Sequence, residues 1–260
     1  ALAALPSLPK IPFLLMGGGA GALGWKLRRK ETAVTAAAPV EDKPAAAKEN
    51  IESLMRVEPL AIEVGLGLVG LVDGGQESPL LRRISTIRRQ LATELGYLLP
   101  PVRVTDNLSL RSREYVISLK GAEVSRYELP QGCDLAIPAG QISGKVEGQP
   151  TKDPAFGMNA LWIACERAEQ ARRAGYTVVD AVSVLGTHLA EVIRRHAHEL
   201  FSRQDTKRLL DRVSVEHPKV VEDVIPKLLP LATVQRVLQN LLRERVSIRD
   251  AVSILEALGE

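Results

Sequence analysis

Four histidines, two cysteines and a scatter of carboxylates are the side chains here that could bind a metal or move a proton. Their spacing argues against both. His196 and His198 stand two apart on a helical stretch, so they point to different faces and do not chelate together. His188 and His196 are two turns apart, too far for one ion. They read as a surface pair plus one histidine near a helix start. Cys133 and Cys165 fit no metal spacing and no CxxC pair, and read as reduced, partly buried thiols. Glu222 and Asp223 sit beside Pro218 and Lys219, where a helix-start role fits better than acid–base work. Gly17-Gly18-Gly19 lacks the Lys-Ser/Thr of a phosphate loop, and neither GxSxG nor HExxH occurs. No enzyme and no cofactor is expected. A hydrolase of another kind would need a catalytic cluster that these motifs do not supply. The charge of +3 and the 3% of aromatics offer no basic stripe with stacking rings, so nucleic acid is not an expected partner.

The elements that hold these residues are of two kinds. Pro59 to Asp73 alternates and runs into Gly74-Gly75 like a strand and turn. Ser78-Pro79 is a helix start, followed by Leu80, Leu81, Ile84, Ile87, Leu91 and Leu95 at helical spacing, with Gly96 as the stop. Arg82, Arg83, Arg88 and Arg89 form its solvated face. Val102–Val104, Tyr115–Lys120 and Ala122–Tyr127 read as strands, with Gly121 turning the last two. Leu129 to Pro154 is turn-rich. Leu161–Ile163 and Tyr176–Val179 are β-like, and Glu166–Ala174 is helical. From Ser183 the pattern is helical throughout: residues 204–215, 218–225, 233–245 and 248–258 follow, with Ser247 capping the last helix and Asp250 as its acid. The fold class is α+β, with mixed subdomains followed by a small helical bundle.

Ahead of this lies an apolar run, Ile11 to Trp25, followed by Lys26, Arg28, Arg29 and Lys30. A secretory signal is the rival, but the cations follow the run and no small-residue cleavage site leads onward. Cations after an apolar helix mark the cytoplasmic side, so 1–30 reads as the end of a membrane helix. That run holds no acid for a proton-coupled step. Residues 31–50 are rich in Ala, Pro and charge and read as a tether. The start at Ala1 and the stop at Glu260 inside a helix read as a fragment or an unusual short form.

Several long motifs resemble the FlhA family of flagellar export-gate proteins, which has virulence-secretion relatives. They are Val57-Glu-Pro-Leu60 through Val69-Gly-Leu-Val-Asp73, Leu81 to Gln90, Glu94 to Asn107, Asp153-Pro-Ala-Phe-Gly157, Thr187-His-Leu189 and Gln239 to Asp250. Leu209–Val213 and Pro218–Asp223 are similar to the flagellar branch. The resemblance implies a last transmembrane helix in 1–30 and a linker in 31–58. It implies a first cytoplasmic subdomain in 59–131 and 181–200, a second in 132–180 inserted into it, and a third, helical one in 201–260. It further implies placement in the bacterial inner membrane with the globular part cytoplasmic, and a homo-nonameric ring. Expected partners are export chaperones with late cargo and other export-apparatus proteins including the ATPase complex. The chaperone-binding positions carried over are Ile137, Asp153, Phe156, Met158, Val179, Val184 and Thr187, a dimple between the first two subdomains. Ala139 departs from the proline common in flagellar members. On the residues alone Phe156 reads as core; the resemblance makes it an exposed anchor. The alternatives are an injectisome export gate and a non-catalytic membrane-tethered interaction module.

Overall fold

A serine, a proline and a glycine set the ends of the first long helix. In the computed structural model, which describes residues 57–73, 78–140 and 142–260, α1 spans Pro79–Leu95. The Ser78 hydroxyl accepts the Leu81 amide at its start, and Gly96 closes it at φ 93°. Its buried stripe is Leu80, Ile84, Ile87, Leu91 and Leu95. The membrane-helix and tether readings through residue 56, and the Gly74-Gly75 turn, lie outside the described residues. Among the described residues, no helix is long and apolar enough to cross a membrane.

Helix α1 is the crossover between two parallel strands, β1 (Leu60–Val64) and β2 (Arg103–Asp106). Antiparallel β3 (Glu114–Leu119) and β4 (Ala122–Glu128) complete a first sheet of order β2-β1-β3-β4. All six residues of β3 are buried. Lys120 and Gly121 turn the β3–β4 hairpin with positive φ at both positions, a two-residue turn whose twist suits the flanking strands. The alternating stretch from Pro59 is therefore only partly strand: β1 ends at Val64, and Leu66–Leu71 is a 3-10 turn.

A second, wholly antiparallel sheet follows, made of β5 (Cys133–Pro138), β6 (Gln149–Lys152), β7 (Asn159–Ala164) and β8 (Tyr176–Val179) in the order β6-β7-β5-β8. Two of these strands lie inside the segment read as turns. Ala136 and Ile163 pack on one face with Val146 and Ala171, the latter on short helix α2 (Ala168–Arg173). Leu135, Ala160 and Trp162 turn the other way and join the main core. The Tyr127 hydroxyl of β4 donates to the Lys152 carbonyl at 2.7 Å and lies 3.0 Å from Thr151 Oγ1, so one side chain ties the two sheets together.

The rest is helical: α3 (Ala181–Arg195), α4 (Ala197–Leu200), α5 (Arg203–Glu216), α6 (Pro218–Val224), α7 (Leu231–Arg243) and α8 (Ala251–Gly259). Helix α3 starts two residues before Ser183, because Asp180 caps it and accepts the Ser183 amide. Ser202 and Asp205 form a reciprocal capping box on α5. The last helix is capped by Asp250 and not by Ser247. Ser247 instead donates to the Glu94 carbonyl at 2.7 Å, and the Ile248 amide reaches the Leu95 carbonyl. The loop before α8 thus docks on the C-terminus of α1. Arg88 also departs from a purely solvated face: it is half-buried and donates to the Leu99 carbonyl at 2.8 Å.

Candidate functional site

The loop from Asp153 to Met158 joins β6 to β7 and is cross-braced on itself. The Asp153 amide donates to the Met158 carbonyl, and the Gly157 amide to the Asp153 carbonyl, both at 2.8 Å. The Asp153 carboxylate accepts the Phe156 amide at 2.8 Å. Pro154 restricts its own backbone, and Gly157 sits at φ 70° where other residues are strained. Asp153 is 5% exposed and organises the turn from inside. The same geometry pushes two apolar side chains outward, Phe156 at 56% exposure and Met158 at 45%. The core reading of Phe156 from its residue type is thereby corrected; among the described phenylalanines it is Phe201 that is core, at 1%.

The other positions fall into two groups. Leu135 pairs with Val179 and Ile137 with Thr177, and side chains two apart share a sheet face. Ile137 and Val179 are half-buried on that face and pack against the main core. Val179 is followed at once by Asp180, the cap of α3. Val184 and Thr187 lie one turn apart on α3. Val184 is buried in the core and supports this region from within, whereas Thr187 is partly open. Glu191 and Arg195 continue the same stripe at four-residue steps. Arg195 Nη2 donates to the Ala155 carbonyl at 2.8 Å, which joins α3 to the loop carrying Phe156.

Most of the polar groups behind the loop leave no trace in sequence spacing. His188, read as the histidine near a helix start, is buried between the Tyr115 hydroxyl, 2.6 Å from Nδ1, and Ser125 Oγ, 2.8 Å from Nε2. Burial lowers its pKa to about 4; the Asp153 carboxylate pulls it up and Arg195 pushes it down. Burial also raises the Tyr115 hydroxyl well above its ordinary value, with Tyr127 and Asp153 adding to the effect. Glu191, 4% exposed, takes Arg195 Nε and Arg245 Nη2 on the same oxygen, each at 3.1 Å. The Glu191–Arg195 pair could have been found from its i,i+4 spacing; Arg245 and His188 needed the fold. His196 pairs with Glu199 at 2.7 Å, as a surface group would.

Among the described residues, no group of three or more His, Cys, Asp or Glu side chains is placed to hold a metal ion. Cys133 and Cys165 are both free thiols, the first half-buried and the second exposed. A cleft of about 760 Å³ lined in part by Leu98, Pro101, Phe201 and Gln239 contains none of the seven carried-over positions. What the site offers chemically is an apolar, partly rigid surface with a polar frame, suited to burying a partner's apolar side chains.

Comparison with known proteins adds the family. The chain is 45% identical over 262 residues to the flagellar biosynthesis protein FlhA of Yersinia enterocolitica, covering 100% of this chain and 38% of that protein. It thus spans less than two fifths of that relative's length. Solved structures share the fold. The CdsV protein of Chlamydia pneumoniae, solved in complex with CdsO, aligns with a TM-score of 0.68 and 22% identity over 78% of this chain and 60% of its own. The nonameric SctV-C of EPEC aligns with a TM-score of 0.59 and 20% identity over 78% and 59%. The FHIPEP family matches residues 1–260, and with sheets, helices and sequence in agreement the chain belongs to that family.

Proposed function

We propose that this chain is the docking part of a bacterial flagellar protein-export gate, and that it binds export chaperones carrying late cargo without catalysing a reaction. In this reading 1–30 ends the last membrane helix in the inner membrane and 31–58 is the tether. Residues 59–131 with 181–200 form the first cytoplasmic subdomain, 132–180 the inserted second and 201–260 the helical third. Nine copies form a ring in this reading, which the nonameric state of the solved SctV-C supports. The flagellar branch is favoured over the injectisome by the 45% identity to a flagellar biosynthesis protein. The export ATPase complex is a further partner in this reading.

The observation that carries the docking role is Phe156, a large apolar side chain 56% exposed on a loop braced by its own hydrogen bonds. A rigid anchor of this kind loses little entropy on binding and gains from burial. Ile137, Met158, Val179 and Thr187 would line the surface around it, and Asp153 and Val184 would hold its shape. The test is a titration of the chain with a flagellar chaperone–cargo complex, beside Phe156→Ala. Loss of an anchor predicts a Kd weakened by roughly tenfold or more, with the fold intact. An unchanged Kd would sink the assignment.

A further inference from the structure

A docking loop is only as well placed as the groups that hold it, and here one brace reaches it from the helical end of the chain. Arg195 Nη2 donates to the Ala155 carbonyl, the residue before Phe156, at 2.8 Å. Its Nε is held 3.1 Å from Glu191 Oε1. A guanidinium is planar, so fixing Nε also aims Nη2. Glu191 is buried and needs cations around it. The same Oε1 accepts Arg245 Nη2 at 3.1 Å, and Arg194 Nη1 stands 4.0 Å from Oε2. Arg245 comes from the turn after α7. It holds φ 62°, with its own amide on the Leu242 carbonyl and the Val246 amide on the Leu241 carbonyl. This is a left-handed helix stop that fixes the direction of the chain. Moving that turn changes how Glu191 Oε1 is shared, and therefore how Arg195 is held.

We propose that Arg195 is a positioning residue for the Phe156 loop, and that Arg245 sets it through Glu191, so that the placement of the helical segment governs the docking surface. The inference rests on the docking reading for its functional meaning, but not for the mechanical link itself.

Amide hydrogen exchange on the full chain separates the two. The rates at Phe156 and Gly157 report the loop, and those at Ala160 and Leu161 of β7 serve as the reference. The variants are Arg195→Gln, Arg195→Lys and Arg245→Asn; asparagine tolerates positive φ, so the last removes the guanidinium without straining the turn. Arg195→Gln is expected to speed loop exchange by about fivefold, the effect of one charge-assisted hydrogen bond, with β7 unchanged. Lysine lacks the fork and gives no rescue. Arg245→Asn moves the same amides in the same direction by less. Unchanged loop exchange in Arg195→Gln, or equal acceleration in β7, overturns the positioning role. Unchanged exchange in Arg245→Asn alone overturns the link through Glu191. The same proteins are then titrated with a chaperone–cargo complex. Faster loop exchange with weaker binding supports the whole inference; faster exchange with an unchanged Kd leaves the brace standing and refutes the docking reading.

Discussion

The Tyr115 hydroxyl and His188 Nδ1 meet at 2.6 Å between β3 and α3, with Ser125 on the other ring nitrogen. A buried imidazole with its pKa lowered to about 4 is neutral at pH 7. The unfolded chain, near 6.5, takes up its proton first as the medium acidifies. Stability from this group is therefore whole above pH 6.5 and lost as pH falls toward 4, by at most about 3 kcal/mol. Urea unfolding at pH 7, 5.5 and 4.5 should show that slope, and His188→Gln should flatten it above the carboxylate range. A variant with the same slope would assign the loss to other groups.

Two glycines with similar backbone angles should respond differently to alanine. A Cβ on Gly96, at φ 93°, would lie 2.3 Å from the Arg249 amide nitrogen. On Gly121, at φ 80°, its nearest contact would be Val57 Cγ1 at 3.4 Å. Gly121→Ala is expected to cost about 1–2 kcal/mol, the left-handed penalty alone. Gly96→Ala should cost more than about 3 kcal/mol, because backbone must also move. Denaturant midpoints of the pair decide it; equal costs would mean that the loop before α8 yields freely.

The two described phenylalanines offer a second contrast. Phe201 packs edge-to-face on Tyr97 at 5.0 Å, so Phe201→Ala is expected to cost about 3–5 kcal/mol. Phe156→Ala should stay within about 1 kcal/mol of the parent. If thermal melts show Phe156→Ala to be as damaging as Phe201→Ala, Phe156 is structural in solution.

Tyr127→Phe removes the hydroxyl that bridges β4 to β6. The lost hydrogen bond predicts about 1 kcal/mol of destabilisation, measured by urea unfolding. No change would mean that apolar packing alone joins the sheets.

Where local chemistry determines an element, the sequence is enough to read it. Ser78, Pro79 and Gly96 carry the bounds of α1 in their own backbone preferences, and the β3–β4 turn announces itself at Gly121. Strands β5 and β6 do not, since they lie among Gly and Pro residues and are held by pairing with β7 and β8, partners farther along the chain. Pro150 is tolerated because β6 is an edge strand. Ser247 looked like a cap and is a tertiary contact, because a hydroxyl serves either purpose and only the fold chooses. Much the same holds for the site. Phe156 and its exposure were legible through a family motif, whereas the Arg195 and Glu191 that support its loop depend on where α3 passes it.

The Ser247 to Glu94 contact has a consequence for the order of assembly. The two residues are 153 positions apart. At a synthesis rate of about 5–20 residues per second, α1 waits roughly 8–30 s before the ribosome delivers the segment that covers its end. Until that segment emerges the carbonyls of Glu94 and Leu95 face water, and the helix persists on its own caps, on the first sheet and, once it is made, on α3, whose Arg194 pairs with Glu94. The strong local signals at Ser78 and Gly96 are what a nascent helix in that position requires.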